Sequence, residues 1–158
     1  MSNPSFAALL KPANEIVDVP LPPAGKAILK IADVTYAPPK EDGKNPYLTA
    51  RIIYSAVHPD SGNDPADVNP RDFETIFHRF FLGDARANAA LRDFMIALGA
   101  DAAALAPIVE DADSADGYNV NPELVALAKG REIVADVKHG VNKMNNTAEV
   151  RLFNFAAL

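Results

Sequence analysis

Phe77, Arg79 and Phe81, within the segment Phe77-His78-Arg79-Phe80-Phe81-Leu82, carry the chemistry that most constrains this chain. On a strand, side chains two residues apart share a face. Phe77, Arg79 and Phe81 would then line one side, and Ile76, His78, Phe80 and Leu82 the other. Consecutive members of the first set would stand about 6.6 Å apart, a spacing comparable with that of extended, unstacked bases. An aromatic–cation–aromatic face suits stacking of bases with neutralisation of their phosphates. The plain alternative is packing. Phe77 and Phe81 could lie under a loop or at a subunit contact, with the Arg79 stem packed and its head in solvent.

Further candidates extend this face. Tyr47 and Arg51, with Thr49 between them, form a second aromatic–cation pair on one side of a strand expected over 47–57. Lys138 and Arg151 fall on two strands expected side by side and continue a basic track. The loop lysines Lys40, Lys44 and Lys143 flank it. Phe153 and Phe155 straddle Asn154. Strict alternation would turn both outward with Arg151, and a shifted register would bury both. The second arrangement is favoured, because bulges shift alternation.

Catalytic and metal chemistry find little footing. His58-Pro59-Asp60 offers two metal ligands, with no third at useful spacing. His78 reads as a half-buried residue of the inner face. No nucleophile elbow, phosphate loop or dinucleotide fingerprint occurs. Carboxylates are abundant but sit in loops, without an apolar frame to drive a pair of pKa values apart. The expectation is a non-enzyme without cofactor or metal.

These side chains depend on a particular order of elements. Residues 1–24 contain Pro4, Pro12, Pro20, Pro22 and Pro23 and read as an extended arm. Residues 25–158 form the expected domain. Strands are expected over 26–36, 47–57, 73–82, 131–139 and 147–155. A long polar loop occupies 58–71, and a polar hairpin loop 140–146. Asp84 as N-cap, apolar residues at helical spacing and Gly99 at the end predict a helix between the third and fourth strands. Residues 101–120 read as a short helix and a loop, and Asn121-Pro122 opens another short helix that ends at Gly130. Three strands, a helical segment and two strands match the OB-fold, a five-stranded Greek-key barrel. In that barrel the face of strands two and three takes oligonucleotides, and here it would carry Tyr47, Arg51, Phe77, Arg79 and Phe81.

Composition bounds the partners. The 158 residues suit one domain, which at this size buries about 68–70 % of its unfolded surface. The formal net charge of −6 counts against an indiscriminate polyanion binder. Acids concentrate over 60–74 and 101–123, whereas Lys26, Lys30, Arg51, Arg79, Arg131, Lys138 and Arg151 fall in strand-like stretches. A local basic face on an acidic body can still hold phosphate, with steep salt dependence. The chain lacks cysteine, which excludes disulfides and thiolate sites and fits a reducing compartment. Neither a membrane-length apolar run nor a secretory start is evident, so a cytoplasmic protein is expected.

Several segments carry a resemblance. They are Pro22-Pro23-Ala24-Gly25, Asn45-Pro46-Tyr47, the helix Asn88-Ala89-Ala90-Leu91-Arg92-Asp93-Phe94-Met95-Ile96-Ala97-Leu98-Gly99, Leu127-Ala128-Lys129-Gly130-Arg131-Glu132 and Asn142-Lys143-Met144-Asn145-Asn146-Thr147. In this order, across about residues 22–155, the chain resembles the phage-encoded OB-fold single-stranded DNA-binding proteins. The resemblance implies coating of unpaired DNA in replication or recombination, without catalysis or cofactor. Its implied partners are single-stranded DNA, with RNA as the alternative polymer, further copies of itself, and phage replication or recombination proteins. A different class is also open. A virion structural or assembly protein could use such a barrel as a building block, drawing on the proline-rich arm, the acidic charge and the two-sided apolar strands. A weaker third option is an accessory protein whose acidic loops dock on a basic partner.

Overall fold

A computed structural model describes residues 20–39 and 45–158. The expected arm over 1–24 is therefore described only from Pro20, and Lys40 and Lys44 lie outside the described residues. The chain runs through β1 (Gly25–Ala37), β2 (Tyr47–Val57), β3 (Ile76–Phe81), α1 (Ala85–Ala97), β4 (Ile108–Glu110), β5 (Tyr118–Val120), α2 (Pro122–Ala128), β6 (Glu132–Asn142) and β7 (Thr147–Ala157). It is mainly β with a few helices. Five strands form one antiparallel sheet in the order β3-β2-β1-β6-β7, and β4 and β5 form a separate hairpin. Among the described residues no hydrogen-bonded ladder joins β3 to β7, so a closed barrel does not form.

Bulges curl this sheet round its core. Ala27, Leu29 and Ile31 point inward along β1, and then Val34 rather than Asp33 does so. The register slips between Ile31 and Asp33, which leaves Ala32 as the extra residue that resets the alternation. On β2 the buried set Leu48, Ala50, Ile52 and Tyr54 gives way to Val57 past the slip at Ser55. Such slips bend and twist a sheet. The curl brings the outer strands together on aromatic rings. Phe155 of β7 lies 5.3 Å from His78 and 5.8 Å from Phe80 of β3, centroid to centroid, and 5.4 Å from Phe94 of α1.

Helix α1 forms where its caps and its apolar stripe agree. Asp84 accepts from the N–H groups of Arg86 and Ala87 at 2.9 and 3.0 Å. Leu91, Phe94, Met95 and Leu98 face the core. At the other end Gly99 adopts φ +85°. Its N–H donates to the Ile96 carbonyl at 2.9 Å, and the Ala100 N–H donates to that of Met95 at 3.0 Å. These paired bonds are a Schellman cap, which needs a left-handed residue at this position. Gly99→Ala should cost about 1–2 kcal/mol, read as a lower urea midpoint at unchanged slope.

Three expectations change. Strand three begins at Ile76 rather than residue 73, because Phe73 ends a 3₁₀ turn and folds edge-on against Tyr54 at 5.1 Å. Residues 101–120 hold no helix. The alanine run makes one turn capped by Asp101, too short to sustain a helix before Pro107. The β4–β5 hairpin follows, and the Tyr36 hydroxyl holds its loop by donating to Asp116 at 2.5 Å. Burial, and then the Asp116 carboxylate, push Tyr36 up to about 12. The loop expected over 140–146 shrinks to a turn after Asn142, closed by the Asn146 N–H on the Asn142 carbonyl at 2.7 Å.

The long loop over 58–72 is a built segment. Three single 3₁₀ turns each open on a proline (Pro59, Pro65, Pro70), after a side chain that caps the turn (His58, Asp64, Asn69). His58 Nδ1 accepts from the Asp60 N–H at 3.1 Å, which caps the first of these turns. The loop is tied to the start of β1 by Asn63, whose amide donates to the Ala24 carbonyl at 3.0 Å.

Candidate nucleic-acid interface

Strand β3 alternates as its sequence dictates. Ile76 and Phe80 are buried and His78 is half-buried beneath them, while Phe77, Arg79 and Phe81 face outward. The β2–β3 register sets Arg51 opposite Phe77, Thr49 opposite Arg79 and Tyr47 opposite Phe81. Directly opposed side chains on one face are in reach of each other. The Tyr47 and Phe81 rings lie 5.4 Å apart, tilted by 53°. The Arg79 guanidinium carbon lies 5.0 Å from the Tyr47 ring centre, within cation–π distance. Five side chains expected to act together thus share one surface: Tyr47, Arg51, Phe77, Arg79 and Phe81.

This surface is exposed and basic. Phe77 keeps 64 % and Phe81 45 % of its area in solvent, far more than large apolar rings keep when they serve packing. Neither Arg51 nor Arg79 has a carboxylate within ion-pair distance among the described residues. Asp33 stands opposite Arg51 in the β1–β2 register without reaching that distance.

The same surface continues into a cleft. Between β3 and β7 lies a cavity of 540 Å³, walled by Phe77, Arg79 and Phe81 on one side and by Glu149, Arg151 and Phe153 on the other. Arg151 therefore joins the first five. Lys138 pairs with Arg151 across β6–β7, and its ammonium lies 5.0 Å from the Phe153 ring. Lys143 is exposed in the turn that follows Asn142, a residue of the cleft wall, and does not itself line the cleft. Lys40 and Lys44 cannot be placed with them, being outside the described residues.

Phe153 and Phe155 depart from both arrangements expected of them. Phe155 is buried at 7 % exposure, but Phe153 keeps 43 % in solvent. Asn154 between them takes φ +57° and is the additional residue at the β6–β7 register slip. Its amide donates to Asp136 at 2.7 Å. Asparagine is among the few residues that tolerate this left-handed geometry, and it was the one local signal for a bulge here.

His78 forms part of the cleft floor, between Phe80 at 4.7 Å and Phe155 at 5.3 Å. Burial lowers its pKa to about 4, so the ring is neutral at ordinary pH. The unfolded chain takes up this proton near about pH 6.5, and the native state resists it. This contribution to stability is full above that value and is lost as pH falls towards about 4, by roughly 3 kcal/mol. His78→Phe should flatten that part of the profile. Urea midpoints compared at about pH 7 and about pH 4.5 check it, and equal acid losses in both proteins would contradict it.

Chemically the site offers flat rings beside fixed positive charge. No described helix is long and apolar enough to cross a membrane. Compared with known protein families and with curated proteins, the chain matches none.

Proposed function

We propose that this chain is a non-catalytic binder of single-stranded DNA on an OB-type barrel, coating unpaired strands in phage-type replication or recombination. The observation that carries this reading is the outer face of β2–β3. Three aromatic rings and two arginines without carboxylate partners among the described residues share one outer surface there. The fold supports the barrel reading in three respects. The sheet order β3-β2-β1-β6-β7 is that of the barrel cut between its third and fifth strands. Helix α1 falls between the third and fourth sheet strands. OB barrels are also commonly part open. The alternative of a virion building block draws on the arm, most of which lies outside the described residues.

Arg51, Arg79, Arg151 and Lys138 would neutralise phosphates while Tyr47, Phe77 and Phe81 stack bases, so sequence preference should be slight. Four phosphate contacts predict a log–log salt slope of about −3 for a single strand. Fluorescence titration of oligo-dT at several salt concentrations measures it, with single-stranded RNA and duplex as comparisons. Failure to bind at low salt, or binding indifferent to salt, would reject the proposal.

A further inference from the structure

We infer that the strand does not stay on the β2–β3 face but crosses the cleft onto β7, where Phe153 is a further base platform and Lys138 and Arg151 hold the phosphates. This rests on the reading of the β2–β3 face as a nucleic-acid surface. Three features of the far wall carry it.

First, the far wall repeats the chemistry of the near one. Arg79 lies over Tyr47 at 5.0 Å, and Lys138 lies over Phe153 at the same distance. Phe153 lines the cleft together with Phe77, Arg79 and Phe81; it faces outward in alternation with buried Leu152, and the bulge at Asn154 turns Phe155 alone into the core. The ring keeps 43 % of its area in solvent on the face opposite buried Leu152.

Second, the Arg151 guanidinium is positioned. Its Nε donates to Glu149 at 3.1 Å and its Nη2 to the Val141 carbonyl at 3.1 Å. Nη1 has no protein partner among the described residues. The side chain can lie across β6 only because residue 140 is glycine, since a Cβ there would fall on the guanidinium. Gly140 is thus a positioning residue for Arg151.

Third, charge gives the path a direction. Where the cleft meets the pocket beside Pro20, Leu21 and Pro22, the lining includes Glu74 and Glu149 with Phe77. Glu149 is paired with Arg151 at 3.1 Å, so Glu74 is the acid of that pocket without a cation partner among the described residues, and a phosphate chain is repelled from its end and drawn towards Arg79 and Lys138.

The chain contains no tryptophan, so Phe153→Trp introduces a single indole whose emission is quenched when a base stacks on it. Labelled oligo-dT of about 12 nucleotides, within the length one OB domain covers, is titrated while anisotropy and indole emission are read together. Quenching that saturates with the anisotropy supports the path. So does a loss of affinity of about fivefold to 150-fold in Phe153→Ala, largely restored in Phe153→Tyr. Gly140→Ala should lower the salt slope by about 0.7, as Arg151→Ala does, with an unchanged urea midpoint.

Binding that weakens in Phe81→Ala, with indole emission unmoved and Phe153→Ala as tight as the parent, would overturn the crossing and leave the β2–β3 reading standing. An absence of binding in the parent protein would overturn both. A dimer in sedimentation that already buries the indole without DNA would assign the cleft to a second copy and overturn the inference as well.

Discussion

Replacing Phe77 and Phe81 together by alanine should lower affinity for oligo-dT by between about 30-fold and about 10⁴-fold. Each ring is a platform, and base–aromatic stacking contributes about 1–3 kcal/mol per base. The fold should hardly notice. Both rings stand on the outer face, at 64 % and 45 % exposure, and the core beneath them is filled by Ile76, Phe80 and Leu48. Exposed substitutions of this kind usually change stability by less than about 0.5 kcal/mol. The check pairs anisotropy titration with urea unfolding. Unchanged affinity would remove these rings as platforms, and a large drop in urea midpoint would make them packing residues instead.

The second large effect belongs to Phe155. Its ring meets His78, Phe80 and Phe94 at 5.3–5.8 Å, and so joins β3, α1 and β7 where no strand ladder does. Phe155→Ala should therefore cost about 3–5 kcal/mol, the range for a buried phenylalanine whose cavity cannot collapse. Amide exchange should accelerate in β7 and α1 before it does in β1 and β2. Phe153→Ala, two residues away, should leave stability within about 1 kcal/mol. Urea unfolding of the two variants side by side decides the matter, and equal losses would contradict the different roles given to the two rings.

Much of this is legible in the sequence alone. The outward set Phe77, Arg79 and Phe81 follows from strict period-two alternation on a short strand without a bulge. Strand β2 follows from Tyr47 to Val57 without adjustment, because Pro46 and the polar His58-Pro59 mark its ends. Helix α1 follows because Asp84 and Gly99 supply caps that are chemically specific. Other features are set by contacts between residues distant in sequence. Nothing local distinguishes a short alanine-rich helix and a loop within 101–120 from a hairpin pinned by Tyr36, which lies 80 residues from Asp116. The cleft was equally out of reach. Its two walls come from strands that share no hydrogen bonds, so no pairing rule brings Arg151 to Phe77.

Asn154 also bears on how this chain can vary. Phe-Asn-Phe looks symmetrical, and an unbroken strand would send both rings to one side. A single backbone angle gives them opposite addresses instead, one inside the fold and one at its surface. A β-branched residue at 154 would resist that angle and put burial of Phe155 in conflict with exposure of Phe153, whereas glycine would preserve both. Variation here is therefore constrained through backbone geometry, and an exposed residue whose side chain bonds Asp136 governs both an anchor of the core and a ring of the cleft.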